Sequence, residues 1–540
     1  MIISALSYVT RSVRCGILPA VAALMIMSAP PTALASVTAF KQAVAEGAAR
    51  DDALAAHYRT SGYDAIWTGQ DEASRARRLA LLQAIDAAPA HGLPASRYDA
   101  AELMTMMRDA RTPRDIGAVE VEMSHVFLRL AHDMQTGMLT PSQIDSNIVR
   151  DVPKQSAEEL LGAFAASNPG GFFRALAPKS GEYARLMGEK TRLEGMLATG
   201  GWGPAVPATT LAPGQSGADV VALRNRLMRM GYLERTASAS YDIPMQQAVQ
   251  QFQASHGLVA DGTAGASTID AINTPISVRL PMILVAMERE RWLNIPRGKR
   301  HVLVNLADFS ARIIDDDRLT FETRAVIGKN TAGQESPEFS DEMEYLEINP
   351  VWNVPRSITV KEYLPQMQRN RGAVSHLKLY NSRGQQVSRA NVNFNAYNAR
   401  NFPYALKQPP STRNALGLVK FMFPNKYNIY LHDTPTKSLF QRNVRAFSHG
   451  CIRLQDPFDF AYEILSRQEA DPKRFFDRIL NSGRQTQVRL DQKIPVHIIY
   501  RTASVPAKGP VQYRGDIYGR DGRIWDALQK AGVSLPDVQG

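Results

Sequence analysis

The segment AFSHGCIRLQDP, residues 446–457, holds Cys451, one of two cysteines in a chain of 540 residues. Gly450 permits a tight turn there, and DPFDFAYEILSRQ (456–468) reads as a helix that follows it. Upstream, HVLVNLADFSARIIDDDRLTFETRAVIGK (301–329) alternates apolar and polar residues around a run of three aspartates, as β-hairpins do. EYLEINPVWNVPRSI (344–358), GLVKFMFPNKYNIYLHDTP (417–435) and VHIIYRTASV (496–505) also read as strands. The block 300–505 is therefore mostly β with a helix packed on it. Within it, residues 374–410 are polar and rich in Asn and aromatics, which predicts an inserted loop or lid.

Residues 36–200 read as a helical scaffold. Met123, Phe127, Leu130 and Met134 share one face of a helix over 119–139. His125 and His132 lie on the same helix, where structural roles are expected rather than metal binding. A Gly- and Pro-rich linker (198–217) then marks a domain boundary. Next comes a three-helix module, 211–275, in which Ser216 is the expected cap and Val220, Leu223, Leu227, Met230, Val249 and Phe252 the expected core. Residues 506–540 follow the β block as a C-terminal extension.

The N-terminus has the pattern of a secretory signal: Arg11 and Arg14, an apolar run over 15–29, and Ala-Leu-Ala at 33–35. Cleavage would remove residues 1–35, including Cys15, and lower the formal charge from +11 to +9. A basic exported protein suits a polyanionic surface such as cell wall. Export argues against nucleic acid as a partner, and no stable membrane anchor is expected after cleavage. Cys451 would then be the sole cysteine, unable to form an intramolecular disulfide. In an oxidising compartment such a thiol is either buried or used.

A nucleophilic cysteine needs a base or cationic neighbour to supply thiolate, and N–H donors for the developing oxyanion. The turn at Gly450 provides candidate donors. His449 is adjacent to Cys451, but on an extended chain its side chain points to the opposite side. His432 ends the strand-like YNIYLH and is the better base. Its orienter is a backbone carbonyl or Asp433.

The order Gly217, Val220, Leu223, Leu227, Gly231, Tyr232, Leu233, Ala248, Val249, Phe252, Gln253, Asp261, Gly262, Gly265 and Thr268 resembles the peptidoglycan-binding module of bacterial wall enzymes. His432 followed by SHGCIR (448–453) is similar to the L,D-transpeptidase (YkuD) catalytic domain, and the whole arrangement resembles its long periplasmic YcbB-type members. One departure is His432-Asp433, where many shorter members have His-Gly.

The resemblance implies a multidomain α+β protein: a helical scaffold, a peptidoglycan-binding module, and a mostly-β catalytic domain with a lid. It implies Cys451 as nucleophile, His432 as general base and acid, and backbone amides near Gly450 and Cys451 as oxyanion hole. Arg453 would meet a stem carboxylate. Ser448 and His449 would shape the loop, and Trp352, Asn353, Tyr397 and Tyr404 would line the cleft. The implied reaction is 3→3 cross-linking of peptidoglycan stems through a thioester, with release of D-Ala. Implied partners are stem peptides, glycan, and other cell-wall synthases and carboxypeptidases in the periplasm; no cofactor or metal is expected. The rivals are an L,D-carboxypeptidase, a cysteine peptidase and a non-catalytic wall-binding protein. No H-E-x-x-H supports a metal hydrolase, and no combination of S-x-x-K, S-D-N and K-T-G supports a serine transpeptidase.

Overall fold

The computed structural model describes residues 38–536. The expected signal segment, with Cys15 and the cleavage site after Ala35, lies outside the described residues.

The scaffold is helical. Its longest helix runs Pro113–Thr136, capped by Thr112 and Asp115, whose side chain and backbone groups satisfy each other reciprocally. Met123, Phe127, Leu130 and Met134 are all buried in one core with residues from Val44 to Leu176. His125 sits by Glu122, and His132 bonds the carbonyl of Gln155, so neither joins a ligand set.

The helix Gly181–Ala198 leaves that core for another. It packs with the helix Ile276–Trp292 and with Ala503, Tyr513, Ile524 and Leu528 of the C-terminal segment. The extension after 505 is thus part of the body of the molecule. The helix Ile276–Trp292, which the sequence reading did not place, carries Glu288-Arg289-Glu290-Arg291. All four side chains are buried. Arg289 pairs with Glu338 at 2.7 Å and Asp521 at 2.8 Å, Arg291 with Glu288 at 2.6 Å, and Glu290 with Arg297 at 2.9 Å and with Arg501.

Between these parts sits the three-helix module, Ala218–Met230, Ile243–Ser255 and Ala266–Asn273. Ser216 is not its cap: Gly217 occupies the N-cap position, and Ser216 bonds Ser240 instead. Gln253 donates to Asp261 and Thr268 and accepts from the Gly262 amide, so these motif residues lock the turn to the second helix.

The C-terminal half is built on β1 (Arg300–Asn305), β2 (Ser310–Asp315), β3 (Arg318–Gly328), β4 (Phe339–Ile348), β5 (Trp352–Asn353), β6 (Lys378–Tyr380), β7 (Gln386–Val387), β8 (Ala405–Gln408), β9 (Val419–Met422), β10 (Leu431–His432), β11 (Ala446–Ser448), β12 (Ile452–Leu454) and β13 (Thr486–Ile499). The main sheet has the order β11-β3-β12-β10-β9-β4-β13-β1-β2, and a further β3–β2 pairing closes it into a barrel with β11 as a spur. The turn between β2 and β3 places Asp316 and Asp317 at positive φ, the two-residue turn that suits the strand twist. The helix Pro457–Leu465 packs Phe460, Ala461, Ile464 and Leu465 into the barrel core.

Two expected strands are interrupted. The stretch 344–358 breaks at Asn349, which has positive φ, and turns helical at Arg356. The stretch 417–435 is two strands, β9 and β10, joined by a turn at Asn428. Both breaks precede or follow a proline, Pro350 and Pro424, that cannot donate to a ladder.

A second sheet, β5-β8-β6-β7, has its own core of Trp352, Leu364, Leu379, Phe394, Phe402 and Leu406. The insert expected at 374–410 therefore sits inside a larger folded unit that begins at β5.

Glu338 meets both Arg289 and Arg520 in the buried charge network. Glu338→Ala should leave both guanidiniums short of a counter-charge and cost about 3 kcal/mol. Chemical denaturation followed by near-UV signal would show a lowered midpoint; an unchanged midpoint would contradict that role for the network.

Candidate active site

Parallel pairing of β10 with β12 sets Leu431 beside Ile452 and His432 beside Arg453. The ladder extends back one step, since the Ile452 amide donates to the Tyr430 carbonyl at 3.1 Å. Leu431, Ile452 and Leu454 point into the barrel core. By strand alternation Tyr430, His432, Cys451 and Arg453 share the opposite face. Lys420 of β9 is level with His432 and completes the row. Tyr430 packs against both the barrel core and the core of the insert, so this face lies where the two units meet.

His432 is buried. Its Nδ1 lies 2.5 Å from the backbone carbonyl of Asp433, so Nδ1 carries the proton and Nε2 is left as the acceptor. Burial, then the charges of Arg453 and Lys420, push its pKa down to about 3. The imidazole is neutral at ordinary pH.

The carboxylate of Asp433 is not the orienter. It accepts from the amides of Leu418 and Thr434 and pairs with Lys437 at 2.8 Å. Gly417, at φ 63°, makes room for it, because a Cβ there would collide with the Asp433 carboxylate. Asp433 thus fixes the strand end by its side chain and the histidine by its backbone.

Cys451 is the free cysteine among the described residues and is half-buried. Its thiol donates to the carbonyl of Asn428 at 3.5 Å rather than to His432, its diagonal neighbour on the sheet. Burial pushes the thiol up, while hydrogen bonds from Tyr430 and the charges of Lys420 and Arg453 oppose that rise. The resting pair is therefore a neutral thiol and a neutral imidazole.

The turn before the cysteine is held from several sides. Gly450 has φ 114°, a conformation that favours glycine. Its amide donates to Ser448 Oγ at 3.1 Å, so it is not a free oxyanion donor as expected. Ser448 in turn donates to the Cys451 carbonyl. The amide of Cys451 itself has no hydrogen-bond partner among the described residues.

Arg453 carries no ion pair among the described residues, and its Nε is buried without a partner. Lys420 stands over the Tyr430 ring at 4.2 Å. His449 points elsewhere, to Glu362 of the insert at 2.7 Å. Trp352 is a core residue of the insert, packed edge-on against Tyr363, not an exposed cleft wall. Asn353 is exposed beside it. Tyr397 and Tyr404 meet edge to face at the rim of the same core. Lys420, Tyr430 and Glu362 escaped the sequence reading. Tyr430 was within reach of it, two residues before His432 and so on the same face; the other two needed the strand register and the fold of the insert.

A neutral pair makes a specific pH profile. Alkylation of Cys451 by iodoacetamide should rise with pH, with a midpoint above that of a free cysteine, roughly 8.5. A plateau already reached below pH 7 would mean a thiolate–imidazolium pair and contradict this assignment.

Residues 299–498 match the family described as "L,D-transpeptidase catalytic domain" (YkuD), residues 52–189 the "Scaffold domain", and residues 216–272 the "Putative peptidoglycan binding domain". A protein of Haemophilus influenzae named "Putative L,D-transpeptidase" is 28% identical over 254 residues, 46% of this chain and 51% of that one. The chain thus spans about half the length of the curated relative it matches. Crystal structures of L,D-transpeptidases from Xylanimonas cellulosilytica and Stackebrandtia nassauensis align at 16% identity over 55% of this chain and 98% and 97% of theirs, with TM-scores of 0.16 and 0.21. At those scores the alignments add nothing to the fold described above. The barrel with its His432–Cys451 face thus lies within the stretch that matches the L,D-transpeptidase (YkuD) catalytic-domain family, in one chain with stretches that match a scaffold domain and a peptidoglycan-binding domain.

Proposed function

We propose that the protein is a peptidoglycan L,D-transpeptidase that works through a thioester on Cys451. The observation that carries this reading is the β10–β12 pairing, which sets a buried neutral histidine and the thiol on one face. The donor is a tetrapeptide stem. As Cys451 Sγ attacks the carbonyl of the third residue, its proton passes to Nε2 of His432. The Asp433 carbonyl holds Nδ1–H throughout and stabilises the imidazolium that forms. The Cys451 amide faces the oxyanion. When the tetrahedral intermediate collapses, the C–N bond to D-Ala breaks and the amine takes the proton from His432. The side-chain amine of a second stem then attacks the thioester. His432 removes its proton and returns it to sulfur, leaving a 3→3 cross-link. Water in place of the amine gives the L,D-carboxypeptidase reaction.

Arg453 and Lys420 are the cations left to meet a stem carboxylate; Arg453, lacking any ion pair among the described residues, is the stronger candidate. The peptidoglycan-binding domain and the basic charge would raise the local concentration of substrate in an exported, wall-associated protein. The insert would act as a lid, tied to the catalytic turn by Glu362 and His449, and would limit access of water to the thioester.

Intact mass after incubation with a carbapenem tests the nucleophile. A covalent adduct is expected on the wild type and none on Cys451→Ala; an adduct of equal yield on both would refute the assignment. His432→Ala should slow acylation by about 10²–10⁴-fold. Glu362→Ala should shift products from cross-link toward hydrolysis, and an unchanged ratio would sink the lid role.

A further inference from the structure

A residue outside the Cys–His pair controls where the oxyanion donor points. Ser336, fully buried in the segment between β3 and β4, donates from Oγ to the Gly450 carbonyl at 2.6 Å. The same Oγ accepts from the Gly328 amide at 3.0 Å. Tyr518, in the C-terminal segment, donates to the Gly328 carbonyl at 2.6 Å and accepts from the Ser336 amide at 3.3 Å. Arg520, also fully buried, donates to the Ser336 carbonyl at 2.9 Å and pairs with Glu338 at 3.2 Å and Glu335 at 3.3 Å. Gly328 lacks a Cβ that would collide with the Gln334 carbonyl, so this segment can lie directly on the end of β3.

The consequence follows from peptide planarity. In a trans peptide the C=O and the following N–H point in opposite directions. With the Gly450 carbonyl held inward on Ser336, the Cys451 N–H is held outward, away from the core. The Gly450 amide is already occupied by Ser448, so the Cys451 amide is the donor left for an oxyanion.

We infer that Ser336, braced by Tyr518, is a positioning residue that aims the Cys451 amide, and that the segment after 505 therefore completes the catalytic site. The inference rests on Cys451 acting through an acyl transfer. Residues 512–530 lie beyond the stretch that matches the catalytic domain family, which ends at 498.

The test separates two reactions of the same thiol in the full chain. Acylation by p-nitrophenyl acetate passes through a tetrahedral oxyanion; alkylation by iodoacetamide does not. Ser336→Ala and the gentler Tyr518→Phe should slow acylation about tenfold or more, while alkylation stays within about twofold of wild type. On tetrapeptide the loss should fall on kcat with KM little changed. An unchanged ratio of acylation to alkylation in both variants would overturn the inference, as would equal loss of both reactions in Tyr518→Phe. If wild type fails to process tetrapeptide while the ester difference persists, the transpeptidase reading fails and the role of Ser336 stands.

Discussion

Two residues of parallel pairing, Leu431–His432 against Ile452–Arg453, set the face on which the candidate site is built. The pairing is short, yet it decides which side chains face outward together. Because side chains alternate on a strand, a slip of one residue would send His432 or Cys451 into the barrel core and bring Leu431 or Ile452 out. Full burial of Leu431, Ile452 and Leu454 is what makes such a slip costly. The hydrophobic core thus specifies the register, and the register specifies the site.

Around that pairing, the molecule fixes backbone groups more than side chains. The histidine is oriented by a carbonyl, the cysteine turn by Ser336 and Ser448, and the strand end by the Asp433 carboxylate capping two amides. Burial and two neighbouring cations keep His432 neutral, which suits a base that must accept a proton only during attack. Of these cations, Arg453 carries no ion pair among the described residues, whereas Lys420 pairs with Glu347 at 3.5 Å. The charge network of Arg289, Glu338, Arg520 and Asp521 joins the central helix, the catalytic barrel and the C-terminal segment, so the surroundings of the site extend well beyond the barrel.

Much of this was legible from residue order. Alternation predicted the barrel strands, and helical spacing predicted the core face of the helix Pro113–Thr136 and the three-helix module. The thiol and its histidine stood out because the chain has so few cysteines and because His432 ends an alternating run. What escaped was set by contacts distant in sequence. Glu288–Arg291 is buried through the approach of residues near 338, 501 and 521. The sequence leaves the orienter of His432 between a backbone carbonyl and Asp433; it is the carbonyl of Asp433, whose carboxylate is taken up by the amides of Leu418 and Thr434. The family resemblance implied Trp352 as a cleft residue, but the insert supplies it with a core of its own. The Gly450 amide looked free because its acceptor, Ser448, folds back across the turn.

The central claim is acyl transfer from a stem peptide through Cys451. Its most direct test is incubation of the protein with disaccharide-tetrapeptide, followed by mass analysis of products and of the protein. The account predicts free D-Ala, an acyl group on Cys451, and dimers linked through their third residues. Unchanged tetrapeptide in the presence of folded protein with an alkylatable Cys451 would contradict it.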